Sequence, residues 1–323
     1  MSSLNKDPLL KVLNLGKYYG EIAGCRDISL SVWPGEVLGI VGESGSGKTT
    51  LLNCMSARLE PTNGRVEYRP SNSDPIDLYG MSEASRRFLM RTDWGFVHQN
   101  PRDGLRMAVS AGGNIGERLM AVGERHYGEI RQSASDWLER VEFDLGRIDH
   151  MPTTFSGGMQ QRLQIARNLV NKPRLIFMDE PTGGLDVSVQ ARLLDLLKAL
   201  VSELSLSVII VTHDLAVVRM LADRMVVMQR GNVVETGLAD QVLDDPQHPY
   251  TQLLIASNPE PDPDTERARS VEPIRGEITS PVNPGPGCRF ADRCPKASSQ
   301  CTTPPPEVIV SEGHRASCHL LAE

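Results

Sequence analysis

A chain of 323 residues, 40% hydrophobic and 23% charged, is long enough for about two domains with buried cores. Its formal net charge of −7, from 34 Lys and Arg against 41 Asp and Glu, argues against indiscriminate binding to nucleic acid, so no nucleic-acid partner is expected. The longest aliphatic run, Val208-Ile209-Ile210-Val211, falls far short of the roughly 20 apolar residues that span a bilayer, and Met1-Ser2-Ser3-Leu4-Asn5-Lys6-Asp7-Pro8 lacks an apolar signal region. Integral membrane and secreted proteins are therefore not expected.

Leu10 to Leu15 reads as a first strand, and the alternating Ile28-Ser29-Leu30-Ser31-Val32 as a second. The turn Trp33-Pro34-Gly35-Glu36 leads into Val37–Val41, a continuous apolar run of the kind buried on both faces in a parallel sheet. Directly behind it, Gly42-Glu43-Ser44-Gly45-Ser46-Gly47-Lys48-Thr49 fits G-x-x-x-x-G-K-[ST], and Thr50 to Met55 can open a helix. Glycines at this spacing let backbone N–H groups curl around a phosphate, and the helix N-terminus adds positive potential. Lys48 would place a charge on the outer phosphates, and Thr49 a hydroxyl on Mg²⁺.

From residue 81 to about Arg140 the pattern is helical and charged. Next comes Phe155-Ser156-Gly157-Gly158-Met159-Gln160-Gln161-Arg162. Ser156 can cap the following helix, and the two glycines leave backbone N–H groups to face an anion. Leu175–Met178 is a buried strand closed by Asp179-Glu180, an acidic pair at the sheet edge where open α/β sheets bind ligands. There Asp179 would hold Mg²⁺ through water, and Glu180 would polarise an attacking water. Leu193, Leu194, Leu196, Leu197, Leu200, Val201 and Leu204 form a helical stripe before the strand Val208–Val211. Met225–Met228 and Val233-Val234 flank Arg230-Gly231-Asn232, a hairpin signal. Strands alternating with helices predict an α/β core with a mostly parallel sheet.

The composition changes near Ser257-Asn258-Pro259-Glu260-Pro261. Four of the 6 cysteines lie in the last 36 residues, and 11 of the 22 prolines follow Thr251. We expect a body over 1–256, with a helical subdomain at about 81–160, a Pro-rich linker over 257–283 and a Cys-rich module over 284–323. Four cysteines in a small tail of an intracellular protein favour a metal over disulfides. Cys288, Cys294, Cys301 and Cys318 suit a [4Fe–4S] cluster, with zinc as the alternative, since His314 or His319 could replace one thiolate. Cys25 and Cys54 read as packing residues.

The phosphate loop, the Ser156-Gly157-Gly158 segment and Asp179-Glu180, in that order, resemble the ATP-binding-cassette (ABC) ATPases, with Phe155 where Leu is usual. The resemblance covers about residues 9–255. It implies an α/β fold: a P-loop nucleotide-binding domain with a RecA-like core, an antiparallel β subdomain and a helical subdomain. It implies ATP and Mg²⁺ as ligands and ATP hydrolysis as the reaction. Tyr19, or Tyr18, matches the aromatic that stacks on adenine. Gly42, Ser44, Gly45, Ser46, Gly47, Lys48, Thr49 and Thr50 match the phosphate-binding positions. Gln99 matches the glutamine that senses Mg²⁺ and nucleotide, His213 the switch histidine near the γ-phosphate, and Asp186 the loop that crosses the dimer interface. Ser156, Gly157, Gly158 and Gln160 match the signature that meets the phosphate loop of another subunit. The resemblance thus implies a head-to-tail dimer, with itself or with a second cassette subunit, and two composite sites.

Two further resemblances bear on the work performed. Trp33-Pro34-Gly35-Glu36, Ala111-Gly112-Gly113-Asn114, Asp149-His150-Met151-Pro152 and Asp244-Asp245-Pro246-Gln247-His248-Pro249-Tyr250 are similar to the cassette component of bacterial phosphonate carbon–phosphorus lyase systems. That implies phosphonate utilisation and a soluble lyase core complex as partner. Pro286-Gly287-Cys288-Arg289-Phe290-Ala291-Asp292-Arg293-Cys294-Pro295 and the segment to His319 resemble the C-terminal region of oligopeptide and dipeptide importer ATPases. That implies a membrane permease instead, with the chain cytoplasmic or peripheral to the inner face of the membrane.

Overall fold

The computed structural model describes residues 7–71, 73–257 and 286–322. In chain order the strands and helices begin with β1 (Leu10–Tyr19), β2 (Ile22–Val32), β3 (Val37–Val41), α1 (Lys48–Met55), β4 (Asn63–Tyr68), β5 (Ile76–Asp77), α2 (Glu83–Thr92) and β6 (Trp94–Val97). There follow α3 (Pro101–Gly104), α4 (Ala111–Ala121), α5 (Tyr127–Arg140), α6 (Gly157–Leu169), β7 (Leu175–Asp179), α7 (Val187–Leu204), β8 (Ser207–Thr212) and α8 (Leu215–Leu221). The chain continues through β9 (Arg224–Gln229), β10 (Asn232–Leu238), α9 (Ala239–Asp244), α10 (Pro249–Ala256), β11 (Glu307–Ser311) and β12 (His314–Ser317). These fall into two compact units. One is built from residues up to Leu10, Ser31–Val37 and Glu67–Ile210, the other from Lys11–Leu30, Leu38–Val66 and the described residues from Val211 on.

In the first unit β6 pairs in parallel with β7, Trp94 opposite Leu175 and Val97 opposite Met178. β6 lies inside the stretch expected to be helical. Its four residues are too few for periodicity to register, and three are buried because Trp94 meets Phe177 and Tyr68 edge to face at 5.1 Å each. The remainder of that stretch carries the helices α2 to α5 joined by short turns, with Ser82, Ser110 and His126 capping α2, α4 and α5. The stripe on α7 faces the core: Leu193, Leu194, Leu196, Leu197 and Leu200 are buried. Val201 and Leu204 are half-buried.

In the second unit β3 runs parallel to β9, β9 antiparallel to β10, β10 antiparallel to β12 and β12 antiparallel to β11. The β9–β10 hairpin is a two-residue turn through Arg230 (φ 45°) and Gly231 (φ 82°), the backbone sense that matches strand twist. The Cys-rich segment thus contributes two strands to this sheet. Phe290 joins a core cluster of Val41, Val218, Val227, Val242 and Tyr250, with its ring 5.4 Å from that of Tyr250. A fully buried aromatic of this size contributes roughly 2–3 kcal/mol, enough to seat a segment this small. From residue 258 the Pro-rich linker lies outside the described residues. No described helix is long and apolar enough to cross a membrane.

His248 caps α10. Its Nδ1 accepts from the Tyr250 N–H at 3.0 Å, its backbone N–H donates to the Glu235 Oε2 at 2.9 Å, and burial pushes its pKa down to about 4. The folded protein therefore keeps His248 neutral where an unfolded chain would take up a proton, near pH 6.5 and below. This contribution to stability is complete above about pH 6.5 and falls as the pH drops toward 4, by about 1.4 kcal/mol per unit. Thermal melts should show wild type losing more stability between pH 7.5 and 5 than a His248→Asn variant. Equal losses would remove His248 from the account.

Candidate functional site

The second unit carries the glycine-rich loop between β3 and α1. Gly47 stands at φ 99°, and a Cβ there would lie 2.0 Å from the Gly24 carbonyl oxygen. One at Gly42 (φ 154°) would lie 2.2 Å from that of Met228. No other residue fits these two positions without moving backbone. The tight path turns the loop's carbonyls toward Lys48, which is 6% exposed. Its Nζ donates to Gly42 and Glu43 at 2.7 and 2.8 Å. α1 begins at Gly47 with no side-chain cap and no acidic residue in its first turn, so its leading N–H groups are suited to an anion. Thr49 is exposed beside them.

Tyr19, at the end of β1, is 49% exposed, and the Lys17 ammonium lies 5.7 Å from its ring centre. A Cβ at Gly24 would touch both Tyr19 and Thr50 at 2.9 Å, so the open aromatic stands next to the first turn of α1. Tyr18 is half-buried, with its N–H tied to Thr62. Exposure and placement both favour Tyr19 as a stacking surface. His213 follows β8 as an exposed residue, ahead of Asp214, whose side chain caps α8.

The first unit carries the acidic and Ser-Gly-Gly segments. Asp179 ends β7 and is buried; Glu180 follows at φ 42°. A left-handed glutamate costs roughly 1 kcal/mol or more, and such strain concentrates where a side chain must point one way. The Gln99 Nε2 donates to the Glu180 Oε2 at 2.9 Å. Gln99 is held there by Gln164, whose buried amide brackets His98: it accepts from the His98 N–H at 2.6 Å and donates to the His98 carbonyl at 3.1 Å.

Ser156 is exposed and caps α6, its Oγ accepting from the Met159 N–H at 3.3 Å. Gly157 and Gly158 let the start of α6 lie against Leu185 and Val189, at 3.5 and 2.7 Å from the Cβ positions they lack. Asp186 lies between them in sequence, exposed at the start of α7. Gln160 sits differently. It is buried, and its amide donates to the Pro152 and Phe155 carbonyls at 2.9 and 3.2 Å, pinning the approach to Ser156 from inside.

Cys288, Cys294, Cys301 and Cys318 are all free thiols. Burial pushes the Cys288, Cys294 and Cys318 thiols up, and the electrostatic influence of Cys301 adds to each. Among the described residues no three His, Cys, Asp or Glu side chains are arranged to hold a metal ion. Three residues were given no site role from sequence: Tyr250, whose hydroxyl accepts the Glu43 N–H at 2.9 Å, and Arg293 beside the Glu43 carboxylate, both at the loop, and Gln164 beside His98. No local signal marks them, because their partners are distant in sequence.

Comparison with known proteins adds the following. Residues 25–183 match the ABC transporter family model, and residues 234–301 match the oligopeptide/dipeptide transporter C-terminal region. The chain is 68% identical over 250 residues to the phosphonates utilization ATP-binding protein PhnK of Escherichia coli, covering 77% of this chain and 97% of that one. It is 38% identical over 295 residues to the oligopeptide transport ATP-binding protein OppF of Salmonella typhimurium, covering 90% and 86%. A dimeric ATP-binding cassette solved in a post-hydrolysis state with ADP and Pi superposes with a TM-score of 0.64 at 32% identity, over 71% of this chain and 98% of that one.

Proposed function

This chain belongs to the ATP-binding-cassette ATPases, which bind and hydrolyse ATP, and from that premise we propose how its residues divide the work and which machine it drives. The phosphate loop of one subunit faces the Ser156-Gly157-Gly158 of a second, in a dimer with itself or with another cassette subunit. Lys48 and the α1 N–H groups carry the charge of the outer phosphates, while Tyr19 stacks on the base. Mg²⁺, when bound, neutralises phosphate charge; Thr49, Gln99 and Asp179 are the residues that would hold it. Glu180, aimed by its left-handed backbone and by Gln99, polarises the attacking water. His213 contacts the γ-phosphate, and Asp186 contacts the neighbouring subunit. The phosphoryl group is stabilised electrostatically, by Lys48 and by the N–H groups of the second subunit's Gly157 and Gly158. Gln160 supports this indirectly, by fixing the loop that presents Ser156.

The machine is the phosphonate carbon–phosphorus lyase system, with a soluble enzyme complex as docking partner and the chain cytoplasmic. The observation that carries this reading is the 68% identity to PhnK over 97% of that protein. The second reading, a peptide importer working on a permease at the inner face of the membrane, is favoured by the match of residues 234–301 to the importer C-terminal region. Four free thiols in one short segment suit a thiolate-held group by donor chemistry, and a [4Fe–4S] cluster or a zinc ion on Cys288, Cys294, Cys301 and Cys318 would tie the tail together.

One purification from the native host, performed anaerobically, tests both parts. Co-purifying lyase subunits and a brown protein with about four irons per chain are expected. A permease pair in their place would transfer the chain to the second reading. Zinc in place of iron would replace the cluster, and a metal-free tail would remove both.

A further inference from the structure

We infer that Arg293, in the Cys-rich tail, is a positioning residue of the nucleotide site, holding the phosphate loop of its own chain through Glu43. The inference rests on the loop being the ATP site, as proposed above. Arg293 ends the short helical turn Ala291–Arg293, and its side chain is only 5% exposed. Its two terminal nitrogens donate to the two Glu43 carboxylate oxygens at 2.8 and 2.7 Å, a fork geometry that fixes direction as well as distance. Glu43 is the second residue of the loop, and all of its polar groups are held. Its N–H donates to the Tyr250 hydroxyl at 2.9 Å, and its carbonyl accepts from the Lys48 ammonium at 2.8 Å and the Ser46 N–H at 3.1 Å.

The tail reaches the loop by a second route. The Arg289 carbonyl accepts from Arg230 Nη1 at 3.0 Å and from Gln229 Nε2 at 3.3 Å. Gly231, next in that hairpin, donates its N–H to the Ser46 carbonyl at 2.8 Å. Phe290, between the two arginines, packs on Tyr250. The loop is thus held at residue 43 by the tail itself and at residue 46 by the hairpin that the tail contacts.

Docking a tail would not require that its best ion pair end on this loop. A part-buried Arg–carboxylate pair is, moreover, weak as a source of net stability. Its effect here is to restrict a glycine-rich loop that must otherwise lose conformational freedom when it wraps a phosphate. Removing the pair should therefore weaken nucleotide binding more than it slows the chemical step.

The test uses the full-length chain: KM for ATP and kcat for wild type, Arg293→Ala, Arg293→Lys, Glu43→Gln and the double variant Arg293→Ala/Glu43→Gln, with thermal midpoints in parallel. Arg293→Ala should raise KM for ATP about fivefold or more with kcat within about twofold. Lys at 293 should recover part of this, since one ammonium replaces a fork. The double variant should be no worse than Arg293→Ala alone, because both changes remove the same contact. If Arg293→Ala does not fold, Glu43→Gln, which keeps the side-chain shape, carries the same expectation. A KM within twofold of wild type in an active Arg293→Ala or Glu43→Gln protein would overturn the inference, as would additive losses in the double variant. A wild-type chain without ATP hydrolysis would sink the site reading itself, and this inference with it.

Discussion

Glu180→Gln should leave ATP binding within a few-fold of wild type while lowering hydrolysis by about 10²–10⁴, the span that a positioned general base contributes. The substitution keeps the size of the side chain and its neighbour Gln99, which now lies 2.9 Å from the Glu180 Oε2. It also leaves Asp179, at the end of β7, and Lys48, in the loop, untouched. What it removes is the charge that draws a proton from water. With ATP proposed to lie between the phosphate loop of one subunit and the Ser156-Gly157-Gly158 of the other, uncleaved nucleotide should hold the two together, so the variant should accumulate as a dimer when ATP is added. Size-exclusion chromatography with and without ATP, beside a phosphate-release assay, reads both effects. Wild-type turnover in a preparation cleared of contaminating ATPases would take the role away from Glu180.

The loop at residues 42–49 was legible because its whole chemistry is contiguous: two glycines that no other residue can replace, a lysine, and a helix start. Ser156 as a cap and Asp179 as a strand end were legible for the same reason. The left-handed backbone at Glu180 was not, since a glutamate gives no sign of it and the surrounding turn imposes it. Gln160, which the resemblance grouped with the signature, has surroundings that the motif does not reveal. Its side chain is buried, with the amide donating to the Pro152 and Phe155 carbonyls of the turn that precedes α6. β6 escaped because a four-residue buried run between helices has no period to read.

The tail shows the same limit on a larger scale. Glu307–Ser311 and His314–Ser317 are short and pair with each other, and the pairing of the second to β10 joins Arg315 to Thr236 across many intervening residues. Composition marked the segment as unusual without indicating where it would dock. Arg293 and Glu43, 250 residues apart, have no local signature at all. Their contact lies beside Phe290, which packs in the core against Tyr250.

The composite site is the central claim, and mixing two damaged chains tests it most directly. Ser156→Arg places a bulky side chain where the other subunit's γ-phosphate should lie, yet its own loop stays intact. Lys48→Ala removes the loop's charge, yet its own Ser156-Gly157-Gly158 stays intact. Each variant alone forms dimers in which both sites are broken. A mixed dimer holds one doubly damaged site and one whole site, assembled from the intact loop of the first chain and the intact signature of the second. With random pairing and sites that fire independently, an equimolar mixture should show roughly a quarter of wild-type turnover, starting from two inactive proteins. The measurement is phosphate release against mixing ratio at fixed total protein. A maximum near equal proportions is the predicted result. Near-full activity of either variant alone, or a mixture that stays inactive at every ratio while mixed dimers are demonstrably present, would contradict it.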